Sequence, residues 1–384
     1  MARLRGFGVP PHAAPDALRD CRSAGDAAVF FDPTLTPSAV QSLADHFGVA
    51  TLTVADSQGA TRTTVLSDPV TVAEDTALVV LTSGSTGEPK GVELGSGALD
   101  TAVAASLTRL VTGPVNTVIQ ALPTHHVAGL LGILRADRLG ADLITVTSAD
   151  DLCGARGELV SLVPTQLARL VDRDVDLARL GTILLGGARA SVDLLDQARA
   201  KGATIITSYG MSESCGGCVY DGTPIGTLSC QVDAPSGSPG VISLRGPQMF
   251  RGYRSGPTLA PRNSDDWFVT SDVGVLVDGQ LTVLGRNDQT VVSGGENVPL
   301  LAVDVAMRAV AQVDDVFVFA RDHDQWGHEV LAIAVTKMSE SDLRDVLKTV
   351  LPHAWVPRQI RIVKDVPRTG LGKPDRFKAL ALFA

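Results

Sequence analysis

The sequence has no apolar run near the roughly 18 residues that would cross a bilayer as a helix, so no membrane span is expected. It has no surplus of positive charge either. Lys and Arg number 33 against 42 Asp and Glu, a formal net charge of −9. A nucleic-acid partner calls for a basic face, so that class of function is excluded. Cysteine is scarce. Five in 384 residues is an odd count in a long chain, which argues against a disulfide framework. Cys215-Gly-Gly-Cys218 has the spacing of a zinc knuckle or redox pair, but a knuckle needs a second pair, and Cys153 and Cys230 are single. Small residues lining a pocket wall are the expected role. The start, Met1-Ala2-Arg3-Leu4-Arg5-Gly6, is basic, yet Pro10, Pro11 and His12 follow where a signal peptide would carry its apolar stretch. A cytoplasmic location is expected. There is no internal repeat.

Hydrophobic content of 45% and charged content of 20% are ordinary for a globular enzyme. The length exceeds the roughly 250–300 residues at which one core stops growing, so two domains are expected. The most informative stretch is Val79-Val80-Leu81-Thr82-Ser83-Gly84-Ser85-Thr86-Gly87-Glu88-Pro89-Lys90-Gly91. A buried strand, Ala77 to Leu81, empties into a loop of hydroxyls and glycines. Glycines let backbone N–H groups turn against an anion, and Lys90 adds a positive charge. This is a phosphate cradle, though not a Walker loop, because Gly91 stands where Ser or Thr would follow the lysine.

Residues 1 to about 75 read as an opening α/β unit, with a helix from Pro37 to Phe47 capped by Thr36. From 76 to 210 strand and helix alternate. Helices are expected at Ala98 to Val111, Ala128 to Leu139, Pro164 to Val171 and Ser191 to Lys201. Strands are expected at Val115 to Leu122, Ala141 to Thr147, Thr182 to Leu185 and Thr204 to Thr207. Such alternation implies a largely parallel sheet with ligands at the carboxyl ends of its strands. Gly222 to Gly256, rich in Gly, Pro and Ser, reads as a small β region, continued by Trp267 to Asp272 and Gln280 to Arg286. Beyond Asp288 the pattern is α-β-β-α-β, a separate α+β module.

Thr82 to Gly91 resembles the phosphate-loop signature of the adenylate-forming superfamily, which comprises acyl-CoA synthetases, luciferases and peptide-synthetase adenylation domains. Further matches follow in order from about residue 76 to the end. The resemblance implies an α/β protein with a large N-terminal domain (1–287) of mainly parallel sheets and a small β region. A small mobile α+β lid (288–384) would turn about a hinge at Asp288. Relatives generally have a longer leading segment, so this chain looks trimmed at its start.

The resemblance also implies a site. Thr82, Ser83, Gly84, Ser85, Thr86, Gly87 and Lys90 would hold the phosphates of ATP. Gly186, Gly187 and Ala188 would form the adenine wall. In Ser208-Tyr209-Gly210-Met211-Ser212-Glu213, Tyr209 would lie against adenine, Ser212 would contact phosphate and Glu213 would hold Mg²⁺. Asp272 and Arg286 would bind the ribose, with Ser271 standing where relatives usually have Gly. Lys373, flanked by Gly370 and Gly372, would be the catalytic lysine, stabilising charge at the α-phosphate. The Ser293-Gly294-Gly295 loop would serve the CoA step. After it, Val298-Pro299-Leu300-Leu301 departs from the usual Tyr-Pro-x-Glu.

His126 would contact the substrate at the mouth of the acyl pocket. His125 is unassigned, and as a sequence neighbour its ring is expected to point away from that of His126. The run Tyr209 to Gly222 and the short length resemble the compact bacterial o-succinylbenzoate–CoA ligases of menaquinone synthesis. There Ser208, Gly216 and Gly217 would line the acyl pocket and leave room for a flat ring. The implied reaction is ATP-dependent ligation of a carboxylic acid to CoA through an acyl-adenylate, releasing AMP and pyrophosphate. Another aryl-acid–CoA ligase, or an enzyme loading a carrier protein, is the alternative. Many relatives pair as homodimers. The residue that pairs a second carboxylate of the substrate is not evident.

Overall fold

The computed structural model describes residues 2–56, 59–83, 89–263, 265–286, 290–369 and 374–383, apart from the side chains of residues 83, 290 and 297. The chain opens as expected, with the strands Ala2–Gly8, Ala27–Phe30 and Thr51–Ala55 parallel to one another and the helices Ala14–Ala24 and Pro37–His46 between them. Thr36 caps the second helix, its hydroxyl accepting from the Ala39 N–H at 3.3 Å, and Pro37 supplies the fixed φ of a first helical residue.

These strands sit in a nine-stranded mixed sheet whose other half is antiparallel. Thr76–Ser83 joins Ala27–Phe30, then come Pro89–Gly95, Gly252–Ser255 and Thr258–Pro261. The last two strands correct the expectation of a single small β region. Residues 252–256 leave it and, with Thr258–Pro261, extend the first sheet, because Gly252 pairs with Glu93 and Arg254 with Gly91. The rest of that region does form a separate four-stranded antiparallel sheet: Ser229–Val232, Gly240–Arg245, Phe268–Val277 and Gln280–Arg286.

A seven-stranded sheet carries the strand–helix repeat. Its parallel part runs Thr204–Met211, Thr182–Leu185, Leu159–Leu162, Thr117–Gln120, Asp142–Thr145. The helix Pro164–Asp172 shows how the pattern works: Leu167, Leu170 and Val171, at i, i+3 and i+4, are all buried. The helix Val127–Leu139 is buried along most of its length, and its Leu130, Leu131, Ile133 and Leu134 share one core with Leu99, Ala102 and Val103 of the helix Ser96–Leu110 and with Val80, Val92 and Leu94 of the first sheet. Burying side chains of this size stabilises the fold by about 1.5–3 kcal/mol each. This core fixes the loops at the strands' carboxyl ends.

The smaller C-terminal domain has its own core, built on the long hairpin Val313–His323 and Gly327–Thr336 and covered by the helices Leu300–Arg308 and Glu340–Val350. Gln359–Ile362 adds a parallel strand, as the expected α-β-β-α-β order requires. A short hairpin, Thr290–Ser293 with Glu296–Pro299, precedes that order.

Candidate active site

The two strands that frame the phosphate loop are hydrogen-bonded partners, with Thr82 opposite Lys90 and Ser83 opposite Pro89. Gly84, Ser85, Thr86 and Gly87 lie outside the described residues, but both roots of the loop are described. The Lys90 ammonium stands 4.1 Å from the centre of the Tyr253 ring. The Tyr253 hydroxyl donates to Glu213 Oε1 at 2.7 Å. Burial and the Glu213 carboxylate both push the Tyr253 phenol well above its ordinary pKa, so it stays a donor. Lys90 and Glu213, distant in sequence, are therefore joined through a tyrosine that sequence reasoning missed.

The strand Thr204–Met211 is longer than its expected end at Thr207. Tyr209, Gly210 and Met211 are part of it rather than a following loop, because it folds back as a hairpin with Gly216–Tyr220. A side chain at Gly210 would force the backbone apart: a Cβ there would stand 2.0 Å from the Gly216 carbonyl oxygen. Ser212 opens a single helical turn, Ser212–Ser214, with Glu213 at its middle. The Tyr209 hydroxyl donates to Asp272 Oδ2 at 2.7 Å. Asp272 lies opposite Arg286 across adjacent strands. Gly186 faces Ser208, with room for a Cβ only at 3.3 Å from the Ser208 Cβ, and Gly187, at φ +79°, and Ala188 complete the turn after Thr182–Leu185. Tyr209, Asp272 and Arg286 are thus brought together, and Gly186 lies against Ser208, the neighbour of Tyr209 on the same strand.

His126 sits at the N-cap of the helix Val127–Leu139. The rings of His125 and His126 do not point apart as expected; their centroids are 4.2 Å apart at 51°. Burial of the His125 ring, whose Nδ1 is enclosed without a protein partner, turns it back against its neighbour. Its Nε2 lies 3.8 Å from Asp32 Oδ2. Burial holds His125 below its usual pKa despite Asp32. For Asp32 burial acts upward, but the Thr34 N–H and hydroxyl, at 2.9 and 2.8 Å, hold it below the usual carboxylate value.

Behind the histidines the hairpin glycines are pressed against their neighbours. A Cβ on Gly216 would meet Leu131 Cδ1 at 2.3 Å, and one on Gly217 would meet Ser208 Oγ at 2.3 Å and Tyr220 Cε1 at 2.8 Å. Beside Tyr220 is a side chain that the sequence reading passed over. Arg135 is 2% exposed. It donates to Ser106 Oγ at 3.0 Å, Ser161 Oγ at 3.2 Å and the Tyr220 hydroxyl at 3.4 Å. Among the described residues no carboxylate pairs with it. With Gln120, Ala128, Gly132 and Ser161 it lines a small cavity. The chain's three tyrosines, 209, 220 and 253, all belong to this site, and that scarcity is the signal that would have found Tyr220 and Tyr253.

In the C-terminal domain Ser293, Gly294 and Gly295 form the hairpin turn, with both glycines in the left-handed region (φ +61° and +85°). The Gly294 N–H donates to the Trp326 carbonyl at 2.9 Å, and the Arg358 guanidinium stacks on the Trp326 ring at 3.7 Å. Asp288 and Lys373 lie outside the described residues. Cys215 and Cys218 are buried thiols, the latter pushed up to about 12 by burial, and no group of three or more His, Cys, Asp or Glu able to hold a metal occurs among the described residues. Both thiols belong to the core that also holds Val127, Leu130 and Leu131.

A model of the AMP-binding enzyme family matches residues 7–254, and that of the AMP-binding enzyme C-terminal domain matches residues 302–373. The chain belongs to the AMP-binding enzyme family. The match begins far ahead of residue 76, where the motifs begin, so the opening α/β unit is part of the family fold and not an unrelated preface. A Mycobacterium tuberculosis protein named "Probable 2-succinylbenzoate–CoA ligase" is 35% identical over 335 residues, 82% of this chain and 86% of that one. The 2-succinylbenzoate–CoA ligase of Bacillus pumilus is 28% identical over 334 residues, 79% of this chain and 68% of that one. Among solved structures, ATP-bound MatB from Rhodopseudomonas palustris shares the fold at a TM-score of 0.79 and 20% identity, covering all of this chain and 89% of the other. The o-succinylbenzoate CoA synthetase (MenE) of Bacillus subtilis, in complex with the acyl-adenylate intermediate OSB-AMP, does so at 0.75 and 24%, covering 98% and 87%. The family fold is thus present across both domains, and the chain is an acid–CoA ligase by kinship.

Proposed function

We propose that this enzyme ligates o-succinylbenzoate to CoA at the expense of ATP, through an acyl-adenylate, in the cytoplasmic synthesis of menaquinone. The observation that carries the choice of acid is Arg135. A guanidinium this deeply buried is costly by several kcal/mol unless an anion joins it. Its partners among the described residues are hydroxyls, which take one N–H from each of its three nitrogens but leave its charge. A substrate with two carboxylates resolves this: one is activated, and the other enters beside Arg135, Tyr220 and Ser161. Ser208 lines the pocket wall and His126 its mouth, while Gly216 and Gly217, expected to leave room for a flat ring, instead let the hairpin close on Leu131, Ser208 and Tyr220.

In this reading ATP lies along the carboxyl ends of the strands. Gly186, Gly187 and Ala188 flank the adenine with Tyr209, while Gly210 and Met211 carry the backbone past it. Asp272 and Arg286 take the ribose hydroxyls. Thr82, Ser83, Gly84, Ser85, Thr86, Gly87, Lys90 and Ser212 surround the phosphates. Glu213 fits a Mg²⁺ site, since Tyr253 engages only its Oε1 and a carboxylate beside polyphosphate calls for a cation between them. Bound there, Mg²⁺ would neutralise phosphate charge.

The substrate carboxylate attacks the α-phosphorus and pyrophosphate leaves, with Lys373 and Lys90 stabilising the charge that develops. The lid, residues 288–384, then turns about Asp288, withdraws Lys373 and brings Ser293, Gly294 and Gly295 to the site for attack by the CoA thiol. Trp326 and Arg358, a flat ring and a cation against those glycines, suit the nucleotide end of CoA. The test is AMP formation from ATP and CoA with a panel of acids. Preference for o-succinylbenzoate, lost selectively in Arg135→Met, supports the reading; equal turnover of benzoate overturns it.

A further inference from the structure

Four charged side chains alternate through the C-terminal domain: Asp304 and Arg308 on the helix Leu300–Arg308, Asp315 in the strand Val313–His323, and Arg368 beyond the strand Gln359–Ile362. Arg308 Nε donates to Asp304 Oδ1 at 2.6 Å and its Nη1 to Asp315 Oδ1 at 3.1 Å. Arg368 Nη2 donates to the other oxygen, Asp315 Oδ2, at 2.5 Å. Asp315 therefore divides its two oxygens between two arginines, and its Oδ1 also accepts the Val316 N–H at 2.8 Å. The side chains are largely enclosed, with Asp315 20% and Arg368 18% exposed, so solvent screens the pairs less than at a free surface. Burial works against the Arg308 cation, and its two aspartates more than offset that.

Arg368 stands where the chain leaves the domain core for the segment that carries Lys373. Arg368 and Pro374 face one another in an antiparallel bridge, and the Asp375 N–H donates to the Pro367 carbonyl at 2.8 Å. Both ends of that segment are thus tied together, and one end is ion-paired to the core. Lys373 immediately precedes Pro374. A lysine has a long, flexible stem, so the volume its ammonium samples is set by how firmly its backbone root is held. An ångström of misplacement can cost about 100-fold in rate.

We propose that Arg368, held by Asp315 and through it by Arg308 and Asp304, is a positioning residue for Lys373. The inference rests on the reading of Lys373 as the adenylation lysine. It makes the ion-pair chain specific to one half of the reaction, because Lys373 is withdrawn in the other.

The experiment compares wild type with Arg368→Gln, Arg368→Lys, Asp315→Asn and Lys373→Ala. Single-turnover adenylate formation, CoA-dependent AMP release from supplied acyl-adenylate, and thermal midpoint are measured for each. Arg368→Gln should slow adenylate formation by about 10- to 100-fold, with KM for ATP and acid within about threefold. Transfer from supplied adenylate should stay within about twofold of wild type, and Arg368→Lys, which keeps the ion pair, should recover most of the loss. Asp315→Asn should reproduce the selective loss and serves if Arg368→Gln fails to fold. Equal slowing of both halves, or of neither while Lys373→Ala abolishes the first, overturns the proposal. Full adenylate formation by Lys373→Ala would overturn the reading of that lysine, and the proposal with it.

Discussion

The Tyr209 hydroxyl donates to Asp272 Oδ2 at 2.7 Å across 63 residues of sequence, so the strand Thr204–Met211 and the small antiparallel sheet are joined at the point proposed to hold ribose and adenine. The bond costs Asp272 some of its freedom to turn and keeps the phenol protonated, since burial and the carboxylate push it well above its ordinary pKa. Tyr209→Phe keeps the ring and removes the bond. The expected outcome is a rise in KM for ATP of about 5- to 20-fold, the equivalent of about 1–2 kcal/mol, with KM for the acid unchanged. Initial-rate kinetics with each substrate varied in turn measures it.

Tyr253 makes the corresponding link on the phosphate side. In Tyr253→Phe, Glu213 loses its donor and Lys90 keeps its aromatic neighbour. The Mg²⁺ concentration giving half-maximal rate should change by at least about threefold while KM for the acid stays fixed. A magnesium titration that superimposes on the wild type would detach Tyr253 from the metal position.

Arg135→Met replaces a buried cation by an apolar chain of similar reach. Breaking a buried pair costs about 3–5 kcal/mol, so catalytic efficiency with o-succinylbenzoate should fall by at least about 100-fold. The thermal midpoint of the unliganded protein should hold or rise, because a cation without a buried counter-ion has been removed from the core. Calorimetry with and without the acid separates the two effects: the acid should raise the midpoint of the wild type and not of the variant.

Much of this site could be read from the sequence because its chemistry is local. Tyr209 to Glu213, Asp272 and the glycine turn at 186–187 each sit in a short run that resembles a motif of the family, and Tyr209 and Asp272 do meet in the fold. Arg135 could not be read in the same way, since its meaning comes from burial. The clue was a cation directly after seven apolar residues, Ala128 to Leu134, ahead of the exposed Asp137 and Arg138 near the helix end. The strands at 252–261 were misplaced for a related reason. The pairing of Gly252–Ser255 with Pro89–Gly95, on which Thr258–Pro261 then adds, is fixed by a register across more than 150 residues, to which local composition is blind. His125 lies against His126 because a half-buried ring packs where space allows, not where alternation along the chain would send it.

Gly210→Ala should destabilise the protein by more than about 2 kcal/mol, because its Cβ would collide with backbone at 2.0 Å and no side chain can yield. Denaturant melts should show a lower midpoint with an unchanged slope. Gly97→Ala, at the exposed start of the helix Ser96–Leu110 with nothing within 4 Å, is the control that should leave the midpoint in place.

Stability should fall on mild acidification. The folded pKa of His125 lies below its unfolded value, so the folded state binds fewer protons, and its contribution is complete above pH 6.5 and lost as pH falls toward the folded pKa. Asp32, also depressed, adds a loss of the same sign at lower pH. Thermal midpoints between pH 5 and 8 should decline toward pH 5 in the wild type, and His125→Gln should flatten the upper part of that decline.

The most direct test is exchange of labelled pyrophosphate into ATP with CoA left out. An enzyme that first makes an acyl-adenylate at this site will catalyse exchange when o-succinylbenzoate is present, and lose it in Lys373→Ala. Exchange that needs CoA, or that proceeds equally well without the acid, would contradict the account.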